Sequence, residues 1–177
     1  LAIGLEFFQQ PFQAVLDDYI AGNIDENTML RETEYFDRWR FDYRLYQPIL
    51  QYAREHRIPL LALNIEREIT NIVSSSGIDG LSDEEKQRIP EDIDFSDEDY
   101  RARLEQIFQQ HPHATEQVFA RFHQVQLLWD ESMAETAANW LRQNPEGHMV
   151  ILAGAGHVIY GSGIPNRAMN RSWSKGR

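Results

Sequence analysis

Three short apolar runs, residues 1–5, 58–63 and 149–153, constrain this chain more than any other feature. None alternates apolar with polar residues, the pattern expected of strands covered on both faces. Each is followed by a polar or glycine-rich break and then by helical sequence. That is the βαβ rhythm of an α/β domain, a mostly parallel sheet flanked by helices. With 177 residues and 42% hydrophobic content the chain suffices for one domain with a substantial core. Residue 1 already reads as the inside of a buried strand, and residues 173–177 read as a loop leading elsewhere. The expectation is a portion of a longer protein.

The intervening sequence predicts helices. Pro11 suits a helix start and Gly22 a stop, so 11–21 is a short helix. Asp25 can cap a second, and Tyr46, Ile49, Leu50 and Ala53 form the inner face of a third with Pro48 in its first turn. A fourth covers 65–75, ending near Gly77. Ser82-Asp83-Glu84-Glu85 is a capping box, and Ser96 begins a helix carrying Tyr100, Leu104, Ile107 and Phe108, interrupted at His111-Pro112. Residues 79–112 thus form a helical cap inserted between two strands. The longest helix spans 115–141, with Val118, Phe122, Val125, Trp129, Met133, Ala137 and Trp140 making one continuous apolar face.

A net charge of −11 argues against nucleic acid as a partner, because nothing basic is arrayed to neutralise phosphates. It equally opposes electrostatic docking on an anionic membrane. There is no cysteine, which excludes disulfides, thiolate nucleophiles and Cys-based metal sites within these residues. No segment is long or apolar enough to span a bilayer.

Ligands of open parallel sheets bind beyond the carboxyl ends of the strands. Three polar residues fall there: Glu6, Asn64 and His157. Glu6 sits between Gly4-Leu5 and Phe7-Phe8, a costly place for a carboxylate without a partner; it either pairs with an arginine or caps a helix, or it faces a ligand. Asn64 either caps the next helix or joins the same site, with Arg67 and Glu68 forming a second edge. His157 stands in Gly154-Ala155-Gly156-His157, where Gly154 and Gly156 permit a tight turn and close backbone approach. Tyr160 follows three residues later. Ile164-Pro165 then starts a short helix bearing Arg167 and Arg171, whose N-terminus favours an anionic group. Trp129 and Met133 read as core, with the acidic pair Asp130-Glu131 set oddly beside them.

The segments Gly4-Leu5-Glu6-Phe7-Phe8, Pro59-Leu60-Leu61-Ala62-Leu63-Asn64 with Arg67-Glu68-Ile69, Leu128-Trp129-Asp130-Glu131-x-Met133-Ala134, and Leu152-Ala153-Gly154-x-Gly156-His157-Val158-x-Tyr160-Gly161-x-Gly163-Ile164-Pro165 occur in this order. Together the chain resembles the ChaN-like haem-binding uptake proteins of the Tiki superfamily over almost its whole length. The resemblance implies an α/β fold with a helical subdomain, and a bacterial, iron-regulated lipoprotein of the cell envelope (periplasm or outer membrane) anchored through a segment upstream of this chain. It implies a homodimer holding two stacked haems, with a tyrosine of one subunit on iron and a histidine of the other at a propionate. Tyr160 is the first choice for that tyrosine and Tyr43 the second; His157, Asn64, Arg67, Gly154 and Gly156 complete the expected haem site. The wider superfamily includes metal-dependent proteases and esterase-like proteins built on two G-x-x-H motifs and a glutamate. Here Gly154-Ala155-Gly156-His157 matches the second motif and Glu6 the glutamate, while the first would lie upstream of Leu1.

Two functions follow. One is non-enzymatic haem binding. The other is metal-dependent hydrolysis, with Glu6 and His157 as divalent-metal ligands or catalytic groups.

Overall fold

The computed structural model describes residues 1–110 and 115–174, the side chains of residues 173 and 174 excepted. Three of its segments are strands: β1 (Ala2–Gln9), β2 (Leu60–Asn64) and β3 (Met149–Leu152). They form a parallel sheet in the order β2-β1-β3, so the first strand in sequence is central. The fold class read from the sequence is the one observed.

Side-chain alternation divides the core in two. Ile3, Leu5, Leu60 and Ala62 face one layer, in which Leu16, Tyr19, Met29, Leu50 and Ala53 are buried. That layer is built by α1 (Gln13–Ala21), α2 (Glu26–Glu32), α3 (Tyr35–Arg38) and α4 (Gln47–Glu55). Ala2, Leu61 and Leu63 face the opposite layer with Met133, Ala134, Ala137 and Ile164. The second layer comes from α8 (Glu116–Gln143) and α9 (Ile164–Ser174). Gly4 is small for a packing reason: a Cβ there would stand 2.7 Å from Leu63 Cδ1.

Local signals operate as chemistry predicts. Gly22 ends α1 in the left-handed conformation, Asp25 accepts the Thr28 N–H to cap α2, and Ser82 and Glu85 cap each other's backbone at α6 (Asp83–Lys86). α5 (Arg67–Ser76) stops at Gly77. The helix expected from Ser96 is α7 (Glu98–Phe108), capped by Asp97 instead. It packs Tyr100, Leu104 and Phe108 on Phe119 and Leu127 of α8, whereas Ile107 is exposed. The break expected at His111-Pro112 lies outside the described residues.

Two expectations are corrected. β3 is an edge strand and Val150 is 51% exposed, so its apolar run is not covered on both faces. The apolar face of α8 is not a single stripe either. Val118 is exposed, and around its middle the helix is buried at Leu127, Leu128, Asp130, Glu131, Ser132, Met133 and Ala134. The cause is packing on four sides, against the sheet, α5, α7 and α9. Among the described residues no helix is long and apolar enough to cross a membrane.

Candidate functional site

The carboxyl end of the sheet is irregular where it matters. β1 takes four residues from Leu5 to Gln9 while β2 takes two from Ala62 to Asn64, so the register shifts across Glu6, Phe7 and Phe8. Such irregularities re-aim side chains at the rim of a sheet. Glu6 turns toward the loop after β3: its Oε2 accepts the Gly154 N–H, and its Oε1 lies 3.4 Å from His157 Nε2. Among the described residues Glu6 therefore neither caps a helix nor pairs with an arginine.

The other imidazole nitrogen is committed as well. His157 Nδ1–H donates to Asp130 Oδ1 at 2.7 Å, and Tyr100 O–H donates to the second oxygen of the same carboxylate. A continuous polar chain thus runs Tyr100–Asp130–His157–Glu6–Gly154, from α7 across α8 to the sheet. Asp130 is fully buried, yet both its oxygens are satisfied. Burial alone would push the His157 pKa down. The hydrogen bonds and negative charges of Asp130 and Glu6 outweigh it and raise the pKa to about 10, so the ring is an imidazolium at neutral pH. Burial, reinforced by Asp130, pushes the Tyr100 phenol up and keeps it protonated.

Glu6, Asn64 and Arg67 line one cavity of about 190 Å³ with Phe7, Trp39 and Trp129. His157 is not part of its lining; the imidazole touches two residues that are, Glu6 at 3.4 Å and Trp129, to whose ring it stands edge-on at 6.1 Å. Asn64 does not cap α5; Glu66 occupies that position. The Asn64 Oδ1 and the Trp39 Nε1 are instead buried without a hydrogen-bond partner. Such atoms cost about 1–3 kcal/mol each unless something met them. Arg67 makes no ion pair among the described residues; its Nη1 donates to the Asp37 carbonyl at 2.8 Å, leaving other N–H groups for a ligand. Glu68 is held by Arg38 in a two-pronged pair at 2.8 and 3.0 Å.

A larger cleft of about 370 Å³ lies between residues 91–94 and α9. Arg167 and Arg171, borne by the helix whose N-terminus was expected to favour an anion, both clasp the buried Glu131 at 2.9 and 2.7 Å. None of the unpartnered buried atoms belongs to its lining.

Tyr160 lies beyond His157 in the short turn Ile159–Gly161. It is 78% exposed and holds the left-handed backbone conformation, φ 59° and ψ 13°. For a residue with a Cβ that conformation costs roughly 1–2 kcal/mol. Gly161 and Gly163, both at positive φ, close the loop, and a Cβ at Gly163 would meet the His157 carbonyl oxygen. Gly154 leaves ordinary room beside Glu6, and a Cβ at Gly156 would meet nothing within 4 Å. Gly156 is therefore not needed for the turn. Tyr43 lies elsewhere. It is buried in the core, edge-on to Tyr35 at 5.4 Å, its phenol pushed up by burial and by Glu26. That placement takes it out of the set from which an exposed ligand would be drawn. The sequence marked Asp130 only as an odd acid beside the core and pointed to neither Tyr100 nor Trp39; a carboxylate within the apolar face of α8 was the one available signal.

A family model described as haem-binding uptake, Tiki superfamily, ChaN, matches residues 1–168. The chain belongs to the ChaN family. A structure of ChaN from Campylobacter jejuni, reported with cofacial haem binding, superposes with a TM-score of 0.67 at 16% identity, covering 95% of this chain and 62% of that one. The likeness shows a shared fold. Protein RETICULATA-RELATED 5, chloroplastic, of Arabidopsis thaliana is 24% identical over 181 residues, which is 94% of this chain and 24% of that protein. This ChaN-family chain therefore spans about a quarter of the plant relative and under two thirds of the bacterial one.

Proposed function

We propose that this chain binds haem without enzymatic turnover, at the carboxyl edge of its sheet, with Tyr160 as the iron ligand. The observation that carries the reading is Tyr160 itself. A phenol mostly in solvent, on a strained backbone three residues after the loop histidine His157, is hard to explain by packing. Phenolate is an established axial ligand type for haem iron.

The residues present fit such a group. Arg67 retains N–H donors suited to a propionate, and the unpartnered Trp39 N–H offers one more, whereas the unpartnered Asn64 Oδ1 can only accept. The cavity of about 190 Å³ is smaller than the roughly 300–1,000 Å³ of clefts that enclose organic ligands. Only an edge of the macrocycle would enter it, and the rest would be covered by a second copy. The homodimer, the envelope location and the upstream lipid anchor belong to the same proposal.

The test is a hemin titration of the full chain. A shifted Soret band is expected in the wild type, with affinity at least tenfold weaker in Tyr160→Phe, weaker by a few fold in Arg67→Ala and unchanged in Tyr43→Phe. An unshifted Soret band in the wild type would end the haem reading.

A second reading, metal-dependent hydrolysis, is favoured by one observation. Asp130 grips His157 by Nδ1 as carboxylates grip metal-binding histidines, leaving Nε2 toward Glu6. These two donors are half of what a tetrahedral site needs. Among the described residues no group of three or more His, Asp or Glu is placed to hold an ion. Elemental analysis of wild type and His157→Ala distinguishes this reading from the first.

A further inference from the structure

We propose that a second cavity at the same sheet edge is a binding site for a neutral, hydroxyl-rich molecule the size of one sugar ring. It is separate from the cavity beside Asn64, and the inference stands whether or not haem binds there.

This second cavity measures about 310 Å³, at the lower end of the roughly 300–1,000 Å³ of small-molecule clefts. Four segments meet around it: the turn that follows β1 (Gln10–Phe12), the residue before α5, the stretch 87–90 after α6, and the middle of α8. Neighbours in sequence divide between the two cavities. Gln9 and Arg67 line the first, Gln10 and Glu66 the second.

The deciding residue is Ser132 of α8. It lines the cavity and is 1% exposed, and its Oγ is buried without a hydrogen-bond partner among the described residues. Buried hydroxyls ordinarily find a partner, if only the carbonyl one turn back in their own helix. This one has lost water and gained nothing, a penalty that a ligand hydroxyl would relieve. Gln10 is anchored beside it. Its Nε2 donates to the Leu63 carbonyl at 3.2 Å and to Thr136 Oγ1 at 2.9 Å, and Thr136 lies one turn beyond Ser132 on the same face of α8. Gln10 Oε1 is left as a free acceptor among the described residues. The exposed Gln87 side chain likewise has no hydrogen bond among them.

The charge pattern selects the ligand. Glu66 pairs with Arg88, and Glu135 with Arg171 at 3.0 Å, so the carboxylates of the lining already have cations. A charged ligand would have to compete with an existing ion pair. A hydroxyl does not: it donates to carboxylate lone pairs that arginine leaves open, and it accepts from Ser132 or the Gln87 amide. Pro11, Ile89 and Pro90 supply apolar wall for the C–H faces of a ring.

The test is a titration of the isotope-labelled full chain with glucose, galactose, mannose and myo-inositol, followed by amide chemical shifts. Glucuronate and protonated glucosamine serve as charged counterparts. At least one neutral member should bind saturably with a Kd of about 10 mM or tighter, and the shifted amides should centre on Gln10, Glu66, Gln87 and Ser132. Ser132→Ala should weaken that binding about three- to tenfold, and Gln87→Ala about two- to fivefold. Arg67→Ala, in the other cavity, should leave it unchanged. Without ligand, Ser132→Ala should unfold in urea at or above the wild-type midpoint, because it removes a buried hydroxyl that bonds to nothing. A lower midpoint would mean that the hydroxyl has a partner within the fold, and overturns the inference. So does a panel in which no neutral member binds, or in which a charged counterpart binds more tightly than every neutral one. Affinity unchanged in both Ser132→Ala and Gln87→Ala overturns it equally. Should Ser132→Ala fail to fold, the position of the shifted amides and the affinity of Gln87→Ala decide.

Discussion

Asp130 concentrates the energetics of this site in one side chain. It is fully buried and holds two groups from different segments, the Tyr100 hydroxyl and the His157 imidazolium. Removing one member of a buried charged pair leaves the other desolvated and uncompensated, at a cost of about 3–5 kcal/mol. Asp130→Ala should therefore lower the urea midpoint sharply, while Asp130→Asn, which keeps the shape, should be milder. A near-wild-type midpoint for Asp130→Ala would refute this account. His157 gives a matching pH dependence. Its folded pKa is raised to about 10 from an ordinary 6.5. The stabilisation is then complete below about pH 6.5 and is lost as pH rises through 10, because the unfolded chain gives up that proton first. Thermal midpoints should fall between pH 7 and 10 in the wild type, and by less in His157→Gln. Equal falls in the two proteins would show that another group is responsible.

At the scale of elements, the loop after β3 depends on Gly163. Its φ is 74°, and a Cβ would stand 2.4 Å from the His157 carbonyl oxygen, a backbone atom that cannot swing away. Gly163→Ala should destabilise by about 2 kcal/mol or more, whereas Gly156→Ala, facing open space, should cost little. Comparable losses from the two substitutions, measured by chemical denaturation, would contradict the steric argument. Much of this architecture was legible in the sequence because it is local. The Gly22 stop, the Asp25 cap and the Ser82–Glu85 box need only neighbours a few residues away. Glu6, Asn64 and His157 were legible as strand-end residues, since a parallel sheet gathers such positions at one edge. What could not be read was which partner each would find. The Glu6–Gly154 contact spans 148 residues and depends on a register shift inside β1. Asp130 looked like an acidic residue beside core residues because its partners, Tyr100 and His157, are neighbours only after α7 and the last loop dock on α8. The edge position of β3 was equally hidden, as strand order is a property of the assembled sheet.

For the whole molecule, haem binding predicts linkage between ligand and stability. A ligand that binds only the folded chain stabilises it by about 2.7 kcal/mol at a hundredfold excess over its Kd. Hemin should thus raise the thermal midpoint of the wild type by several degrees and that of Tyr160→Phe by much less. If the cavity of about 190 Å³ takes only an edge of the macrocycle, as proposed, sedimentation should also show larger particles with hemin than without. A thermal midpoint insensitive to hemin would count against specific binding.

The middle of α8 carries a further consequence. Asp130 and Glu131 are both buried, and their basic partners, His157, Arg167 and Arg171, all lie later in the chain. During synthesis on a ribosome those two acids wait without counterions until residues 157–171 emerge. The long helix cannot settle on the sheet beforehand without placing two bare negative charges in hydrocarbon. Nascent chains halted before residue 157 should therefore remain open to proteases, however complete the sheet and the first helical layer already are.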